Sequence, residues 1–425
     1  MRCWQRFCLM KRHEYRDPEV ERAVRRPVRL FGMVVVSSAL MPFVPGLDVG
    51  TAVFLSFFLL FLGNALLFDR TVFVPRHGFG RWRSFAIISL LVFSTASVGW
   101  LIVNGGSVSH WLRAMAPFCF FSLYLLLPTL TDFEARSLGG ALLFASGVWA
   151  LKVLLEAYVA YQSFGPIVFL GRLTFTVPDS VLVFPLVAIP LLLFWRDAVS
   201  ASVKVASLIF LVGLYVWIGY RGGLLIVAMC FLGYIVLSKG RGRWVALGLV
   251  ASMTSIVVNW SGADVLGQLF DRYSSLVAEE SDGVRAGELA YAWEMGSESP
   301  LIGKGLGWQV PFDVAFKGVD LAQLGDQAER SSVGYIHSLP AYFFMNLGVA
   351  GVVLAAACYF PWGFSLTRLR RLQLEAASAI GVIAVVVFSF SQASFRNIQA
   401  VLLIVALAKI IDSARCHDGM IVNRR

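Results

Sequence analysis

The chain is dominated by long stretches of apolar residues that contain almost no charge. Each stretch runs for about 20 residues, which is the length that a helix needs to cross the hydrocarbon core of a bilayer. Transmembrane strands would instead alternate apolar and polar residues in segments of about ten. Charged residues make up only 15% of the chain, whereas soluble proteins carry about 25%. The sequence therefore predicts an all-α polytopic membrane protein.

Twelve such stretches can be bounded, and each predicts one transmembrane helix. They lie near residues 29–46, 48–68, 84–103, 112–130, 138–160, 180–195, 203–219, 222–238, 243–260, 335–361, 373–391 and 397–411. Helices 1–9 then occupy residues 29–260 and helices 10–12 occupy residues 335–411, with a long polar loop over 261–334 between them. Residues 1–28 form a basic N-terminal tail, and residues 412–425 form a C-terminal tail.

The positions of the basic residues predict the orientation of these helices. If the N-terminus is cytoplasmic, the cytoplasmic tails and connections contain 26 of the 36 Lys and Arg residues. This asymmetry follows the positive-inside rule, so both termini are expected in the cytoplasm of a bacterial-type cell. The loop 261–334 then faces the periplasm across the inner membrane. The formal net charge of +10 is explained by topology, and we expect no binding to nucleic acid.

Few basic residues remain for the periplasmic side, and Arg221 is the most informative of them. It stands between two apolar runs, where a charge is costly unless it is solvated or paired. One alternative is an arginine that snorkels and anchors the end of a helix. Because a periplasmic arginine gains nothing from the positive-inside rule, we favour a functional role for Arg221.

Arg285 lies in the loop, in the segment VRAGELAYAWEM. At helical spacing Leu289, Ala292 and Trp293 share its face, which predicts an interfacial amphipathic helix with the arginine on its buried side. A surface ion pair with Glu288 explains the same spacing without any function.

His337 begins the tenth predicted span. Ala341, Gly348 and Gly351 fall near its face of the helix, and small residues there would let another helix approach closely. The N-terminus of a helix disfavours the imidazolium form, so the ring would stay neutral and able to accept a proton. The alternative is a histidine that only makes a hydrogen bond at the membrane interface.

The loop holds two further patterns. The glycines of PLIGKGLGW, at 303, 305 and 307, could present backbone N–H groups to an anion, but without a strand–loop–helix context a plain turn is favoured. The carboxylates within 279–282 are interpreted as solvated rather than as a cation site. Apolar anchors such as Trp293 and Trp308 predict that the loop folds onto the helices.

Three motifs together resemble the O-antigen ligase and polymerase family of bacterial envelope enzymes. They are the arginine of 221–223 at a periplasmic helix start, Arg285 about fifteen residues before the turn 300–307, and His337 followed by Ser338, nine residues and Gly-x-x-Gly (348–351). The resemblance covers residues 180–360. The chain departs from the family in having Gly-Tyr before Arg221, where small polar residues are frequent, and Ser338, where Asn is frequent.

The resemblance implies an inverting transfer of a glycan from undecaprenyl diphosphate to a sugar hydroxyl, without a metal or other cofactor. It implies that Arg221 and Arg285 stabilise the departing diphosphate and that His337 is the base. Weaker diphosphate ligands follow from their periplasmic position: Arg172, Arg272 and Arg396. The expected partners are the carrier-linked glycan, an acceptor on lipid A core or on a growing glycan, and membrane lipids. The loop would act as a lid that brings Arg285 and His337 toward Arg221.

Two alternatives remain open. A polymerase would join carrier-linked repeat units and differs from a ligase only in its acceptor. A polysaccharide flippase or other secondary transporter would also suit twelve spans, and such proteins often carry charges at mid-membrane. Lys152 and Glu156, four residues apart in the fifth span, could be a buried ion pair or a coupling site.

Overall fold

A computed structural model shows that the chain is built almost entirely from helices. It describes residues 18–41, 49–68, 78–164, 183–218, 221–238, 243–250 (without 245 and 249), 277–311, 332–333, 336, 338–359, 373–390 and 397–422. The helices are α1 Pro18–Ser38, α2 Val49–Phe68, α3 Gly78–Val103, α4 Val108–Phe121, α5 Leu123–Leu126, α6 Asp132–Phe164, α7 Val183–Phe194, α8 Ala201–Ile218, α9 Arg221–Leu237, α10 Val277–Glu298, α11 Leu339–Tyr359, α12 Leu374–Phe388 and α13 Ile398–Val422.

Three of these helices contain segments that are long and apolar enough to cross a membrane: Trp82–Val103, Asp132–Val159 and Leu339–Tyr359. Shorter apolar segments lie at Val49–Ala65, Val183–Phe194, Ala201–Tyr215, Leu225–Leu237 and Leu374–Phe388. The predicted class, an all-α membrane protein, is thereby confirmed. The predicted span at 243–260 falls largely outside the described residues.

Two helices form the centre of the domain. All twelve residues of α7 are buried, and α13 is buried from Ala400 to Ser413 except at Lys409. A helix that is apolar and buried around its whole circumference lies inside a bundle rather than at its surface. Accordingly, α7 packs against α6, α9 and α12, while α13 packs against α1, α4, α6 and α12.

One predicted span is two helices. The run 112–130 is interrupted at Ser122, which separates α4 from α5. Pro117 lies inside α4 and has no N–H to donate to the preceding turn. The Ser122 hydroxyl donates to the carbonyl oxygen of Cys119 at 2.5 Å. The proline and this side-chain hydrogen bond weaken the backbone hydrogen bonding of α4 near its C-terminal end, before α5 begins.

The described part of the polar loop packs on the membrane helices, as its apolar anchors predict. Helix α10 lies against α11, and the ring centroids of Trp293 and Phe344 are 5.2 Å apart. After α10, the short strand β1 (Val310–Pro311) pairs antiparallel with β2 (Ser332–Val333). This pairing holds the chain that precedes α11 beside the chain that follows α10.

Candidate functional site

Helix α11 is broken in its middle. Gly348 has φ 63° and ψ −163°, a conformation that is essentially restricted to glycine. In a continuous helix the N–H groups of Val349 and Ala350 would donate to the carbonyl oxygens of Met345 and Asn346. The break separates these partners and leaves four backbone groups to be satisfied elsewhere.

Residues 300–308, which we call the inserted turn, supply the missing partners. Val349 N–H donates to Pro300 O at 2.8 Å, and Ala350 N–H donates to Leu301 O at 3.2 Å. In return the N–H groups of the inserted turn at positions 304 and 305 donate to the carbonyl oxygens of 345 and 346, each at 2.8 Å. Within a membrane, non-helical backbone is tolerated only where other protein groups form hydrogen bonds with its N–H and carbonyl groups.

Glycines on both sides allow the two backbones to touch. A Cβ atom at Gly303 would lie 2.5 Å from the carbonyl carbon of Asn346, and one at Gly348 would lie 2.4 Å from that of Leu301. The prediction that Gly348 lets another helix approach is therefore wrong, because a turn occupies that place. Gly351 is buried, and a Cβ there would lie 2.2 Å from the side chain of Leu347 in its own helix.

Asn346 is the polar side chain at the centre of this arrangement, and it is fully buried. Its Oδ1 accepts from the N–H of Gly307 at 2.8 Å and of Trp308 at 3.0 Å. Its Nδ2 donates to the carbonyl oxygen of Tyr342 at 2.9 Å. The sequence reasoning missed this residue, although a lone Asn within an apolar span is a signal that could have found it.

The inserted turn also docks on the C-terminal end of α3. Trp100 Nε1 donates to the carbonyl oxygen of Gly303 at 2.8 Å, and Ser97 Oγ accepts from Leu306 N–H at 3.1 Å. Every backbone N–H from 303 to 308 donates to an acceptor within the protein. None is directed at an anion, so the plain turn that the sequence favoured is confirmed.

Lys304, which belongs to the inserted turn, contacts an acidic and an aromatic side chain. Its Nζ forms an ion pair with Glu298 and lies 6.0 Å from the centroid of the Trp308 ring. Trp308 in turn donates from Nε1 to the Tyr291 hydroxyl at 3.2 Å. Burial raises the pKa of the Tyr291 phenol, with the hydrogen bond from Trp308 acting in the opposite direction. The phenol is therefore neutral at physiological pH.

Arg221 is the first residue of α9, and its side chain lies outside the described part of the chain. The glycine two positions later has a clear packing role, because a Cβ on Gly223 would lie 2.1 Å from the ring of Tyr215 in α8. Gly223 thus lets α8 and α9 approach closely near the start of α9.

Arg285 lies in α10, and the described side chains correct the predicted face of that helix. Leu289 is 46% and Trp293 is 70% exposed, whereas Glu288 and Ala292 are buried. Arg285 precedes Glu288 by one turn and Ala292 by two, so its position falls on the face that packs toward α11. Glu288, the predicted ion-pair partner of Arg285, is 1% exposed and therefore lies inside the protein rather than at its surface. The Arg285 side chain itself is outside the described part.

His337, Arg172, Arg272 and Arg396 lie outside the described residues. Described residues before and after His337 are nevertheless buried or hydrogen-bonded. Ile336 is fully buried, and Leu339 N–H donates to the carbonyl oxygen of Ser389 at 2.8 Å. Five residues before His337, strand β2 pairs with β1. Described residues on either side of position 337 therefore contact the end of α12 and the strand that follows the inserted turn.

Lys152 and Glu156 form an ion pair, with Nζ and Oε1 separated by 3.6 Å, but the pair is not buried as one of the predictions had it, because the Glu156 side chain is 41% exposed. Lys152 also donates to the carbonyl oxygen of Met41, just after α1. A lysine that binds the carbonyl groups at the end of a helix stabilises that helix. Within the described ranges there is no group of three or more His, Cys, Asp and Glu side chains that could hold a metal ion.

A second polar cluster, missed by the sequence reasoning, lies at the other end of α3. Arg83 Nε donates to Asp412 Oδ2 at 2.8 Å, and Arg83 Nη1 donates to Cys358 O at 2.8 Å. The Tyr124 hydroxyl donates to the same carboxylate oxygen at 2.6 Å, and Lys409 donates to Leu127 O at 2.6 Å. We call Arg83, Tyr124, Lys409 and Asp412 the ion-pair cluster. The charge count treated Arg83 as part of a cytoplasmic connection, yet it is buried.

Comparison of the chain with models of known protein families and with the curated proteins gives no match. The resemblance to the O-antigen enzymes therefore rests on the three sequence motifs. The arrangement just described connects α10, the inserted turn, β1–β2 and α11 by hydrogen bonds and side-chain packing. Two of the three motif residues, Arg285 and His337, lie in or directly before these connected elements.

Proposed function

We propose that the chain is an O-antigen ligase-type glycosyltransferase of a bacterial inner membrane, with twelve spans, both termini in the cytoplasm and a periplasmic active site. It transfers a glycan from undecaprenyl diphosphate to a sugar hydroxyl of lipid A core, with inversion and without a metal. The observation that best supports this proposal is the inserted turn. It ties α10, which carries Arg285, to α11, which begins two residues after His337.

The arginines act on the leaving group. When the bond between the sugar and the carrier breaks, the electron pair leaves on the diphosphate, and negative charge develops at the membrane surface. A guanidinium group binds phosphate oxygens bidentately and stays charged at any physiological pH. Arg221 opens α9, where the helix dipole adds a positive field. Held in place before the reaction, Arg221 and Arg285 stabilise the charge as it forms.

His337 acts on the acceptor. Its neutral imidazole takes the proton from the sugar hydroxyl as the hydroxyl oxygen attacks the anomeric carbon. Attack on the face opposite the diphosphate forms the new glycosidic bond with inversion. Arg172, Arg272 and Arg396 are further contacts for the diphosphate. Apolar helices provide the surface along which the carrier's prenyl chain lies.

A polymerase is the second candidate, since it uses the same donor and the same reaction and differs in its acceptor. The surface glycan of a deletion strain separates the possibilities. Core without attached polymer indicates a ligase, and core capped by one repeat unit indicates a polymerase. An unchanged glycan would contradict both and would favour a transporter or another pathway.

The proposal is tested by transfer assays on purified protein with a carrier-linked glycan and a core acceptor. His337→Ala should reduce turnover by at least about a hundredfold, the lower end of what a general base contributes. The control is His110→Ala, which changes a histidine at the start of α4 that the mechanism does not use. Full activity of the His337→Ala variant would contradict the assignment of His337 as the base.

The same assay tests the absence of a metal. A chelator should leave turnover unchanged. Activity that is lost with the chelator and restored by a divalent ion would contradict the metal-free mechanism, and it would make the carboxylates of 279–282 a metal site.

A further inference from the structure

Helix α10 has three different faces around its axis. The face toward α11 contains Glu288, Ala292 and Gly296, all of which are buried. At 100° per residue, Leu289 and Trp293 lie on a flank roughly 80° around the helix from that face. Both side chains are large, apolar and exposed, by 46% and 70% respectively. A helix that served only as a solvated cover would not carry its largest apolar side chain at such exposure.

The remaining face of α10 is polar. Glu294 and Glu298 are exposed, and they lie roughly 120° or more beyond the apolar flank by the same helical geometry. The helix therefore presents protein-facing, apolar and acidic surfaces in sequence around its axis. A helix that lies flat beside a membrane-spanning helix needs such an arrangement, with the bundle at its side, acyl chains below and water above.

Further exposed apolar side chains lie just after α10 and on α11. Leu301, which follows α10, is 71% exposed, and Val349 and Val353 of α11 are 47% and 59% exposed. Leu301 and Val349 lie side by side, because Val349 N–H donates to Pro300 O at 2.8 Å and Ala350 N–H donates to Leu301 O. Since α11 is one of the three helices long and apolar enough to cross a membrane, its exposed valines face lipid.

We propose that α10 lies in the membrane interface, with Leu289, Trp293 and Leu301 inserted among the acyl chains of the adjacent leaflet. Trp293 is suited to this depth, because the indole ring combines a large apolar surface with a polar N–H group. Phe344 of α11 supports the indole from the protein side. This inference is independent of the proposed function. It places the loop helix at the level of the lipid head groups, rather than in the periplasm as a detached lid.

The experiment measures the depth of side chains on α10 in lipid nanodiscs. A nitroxide is attached through a ketone-bearing amino acid at one position at a time, which leaves the native cysteines untouched. Positions 289 and 293 sample the apolar flank, positions 294 and 298 sample the polar face, and position 353 on α11 is the lipid-facing control. Collision of the nitroxide with oxygen, which concentrates in acyl chains, is compared with collision with a water-soluble nickel complex.

The ratio of oxygen to nickel collisions should be severalfold higher at 289 and 293 than at 294 and 298, and it should approach the value at 353. High nickel collision at all four positions would contradict the inference, because the helix would then be surrounded by water. Low collision with both reagents at 289 and 293 would also overturn it, since another protein segment or a second copy would then cover the flank. Neither result depends on glycan transfer, so failure here leaves the test of the proposed function intact.

Discussion

Two polar regions tie α3 to α11, and they do so with different chemistry. The inserted turn binds the end of α3 at Trp100, and the ion-pair cluster binds its start at Arg83. At 1.5 Å per residue these positions are about 25 Å apart along the helix, close to the thickness of a hydrocarbon core. The inserted turn is held mainly by backbone N–H and carbonyl groups. The ion-pair cluster is held by the side chains of Arg83, Tyr124, Lys409 and Asp412.

Comparing the two regions shows where charged side chains stabilise the fold. At the ion-pair cluster two basic side chains are fixed by an acid, a tyrosine ring and carbonyl oxygens. No arginine takes part in the described contacts of the inserted turn, which depend on glycine, on Asn346 and on tryptophan. In our account, Arg83 of the ion-pair cluster is a structural residue. The inserted turn needs no arginine for its stability, so we assign Arg221 and Arg285 to substrate binding.

The largest effect should come from breaking the ion-pair cluster. Asp412→Leu removes the carboxylate and leaves Arg83 buried without its acid. It should reduce the free energy of unfolding by about 3–5 kcal/mol, measured by thermal or denaturant unfolding in detergent. The matched control is the double variant Arg83→Met with Asp412→Leu, which should recover most of the loss because no unpaired charge remains. A double variant as unstable as the single one would show that the pair is not what holds this end.

Gly348→Ala should be the next most damaging change. Its Cβ would overlap the backbone of Leu301, and the residue would keep a strained φ and ψ, for a combined loss of about 2–4 kcal/mol. Hydrogen exchange of the amides at 303–308 should accelerate, because the inserted turn is displaced. Gly147→Ala is the control, since a Cβ there meets nothing within 4 Å. Unchanged protection of these amides in Gly348→Ala would contradict the role given to the break.

A smaller effect is expected from Asn346→Leu, which keeps the size of the side chain but orphans the N–H group of Gly307. Trp308 N–H keeps its second acceptor, the carbonyl oxygen of Gly305. Each buried, unsatisfied group costs about 1–3 kcal/mol, although water that enters the site reduces the loss. The amide at 307 should lose more protection than those at 304, 305 and 308. Ser146→Ala removes buried hydrogen bonds elsewhere and should leave all four amides unaffected. Equal protection in both variants would mean that Asn346 does not hold the turn.

Much of the helical framework could be predicted from the sequence, because a run of about 20 apolar residues has few alternatives to a helix. The break in α11 could not be predicted. Gly348 in an apolar run looks like a residue for close helix packing, and its backbone conformation depends on a turn forty residues earlier in the chain. The turn itself was predictable from its glycines, but its acceptors in α11 were not.

The candidate site was predictable only at the level of residue type and motif. Charge sorting selected Arg221 and Arg285 because a basic residue on the periplasmic side has no topological explanation. The same sorting concealed Arg83, since an arginine near a cytoplasmic connection satisfies the rule whether or not it is buried. Asp412 was assigned to the tail, whereas α13 continues past it to Val422. Long-range pairs such as Arg83–Asp412 leave no local pattern in the sequence.

The central claim is that arginine is structural at the ion-pair cluster and catalytic at the periplasmic side. The most direct test compares Arg83→Lys with Arg221→Lys, measuring the unfolding temperature and the turnover per folded protein. Lysine keeps the charge but cannot reproduce the bidentate fork of the guanidinium group. The account predicts that Arg83→Lys unfolds at a lower temperature with near-normal turnover, and that Arg221→Lys keeps its unfolding temperature but loses most of its turnover. Normal turnover of Arg221→Lys, or lost turnover of a fully stable Arg83→Lys, would contradict it.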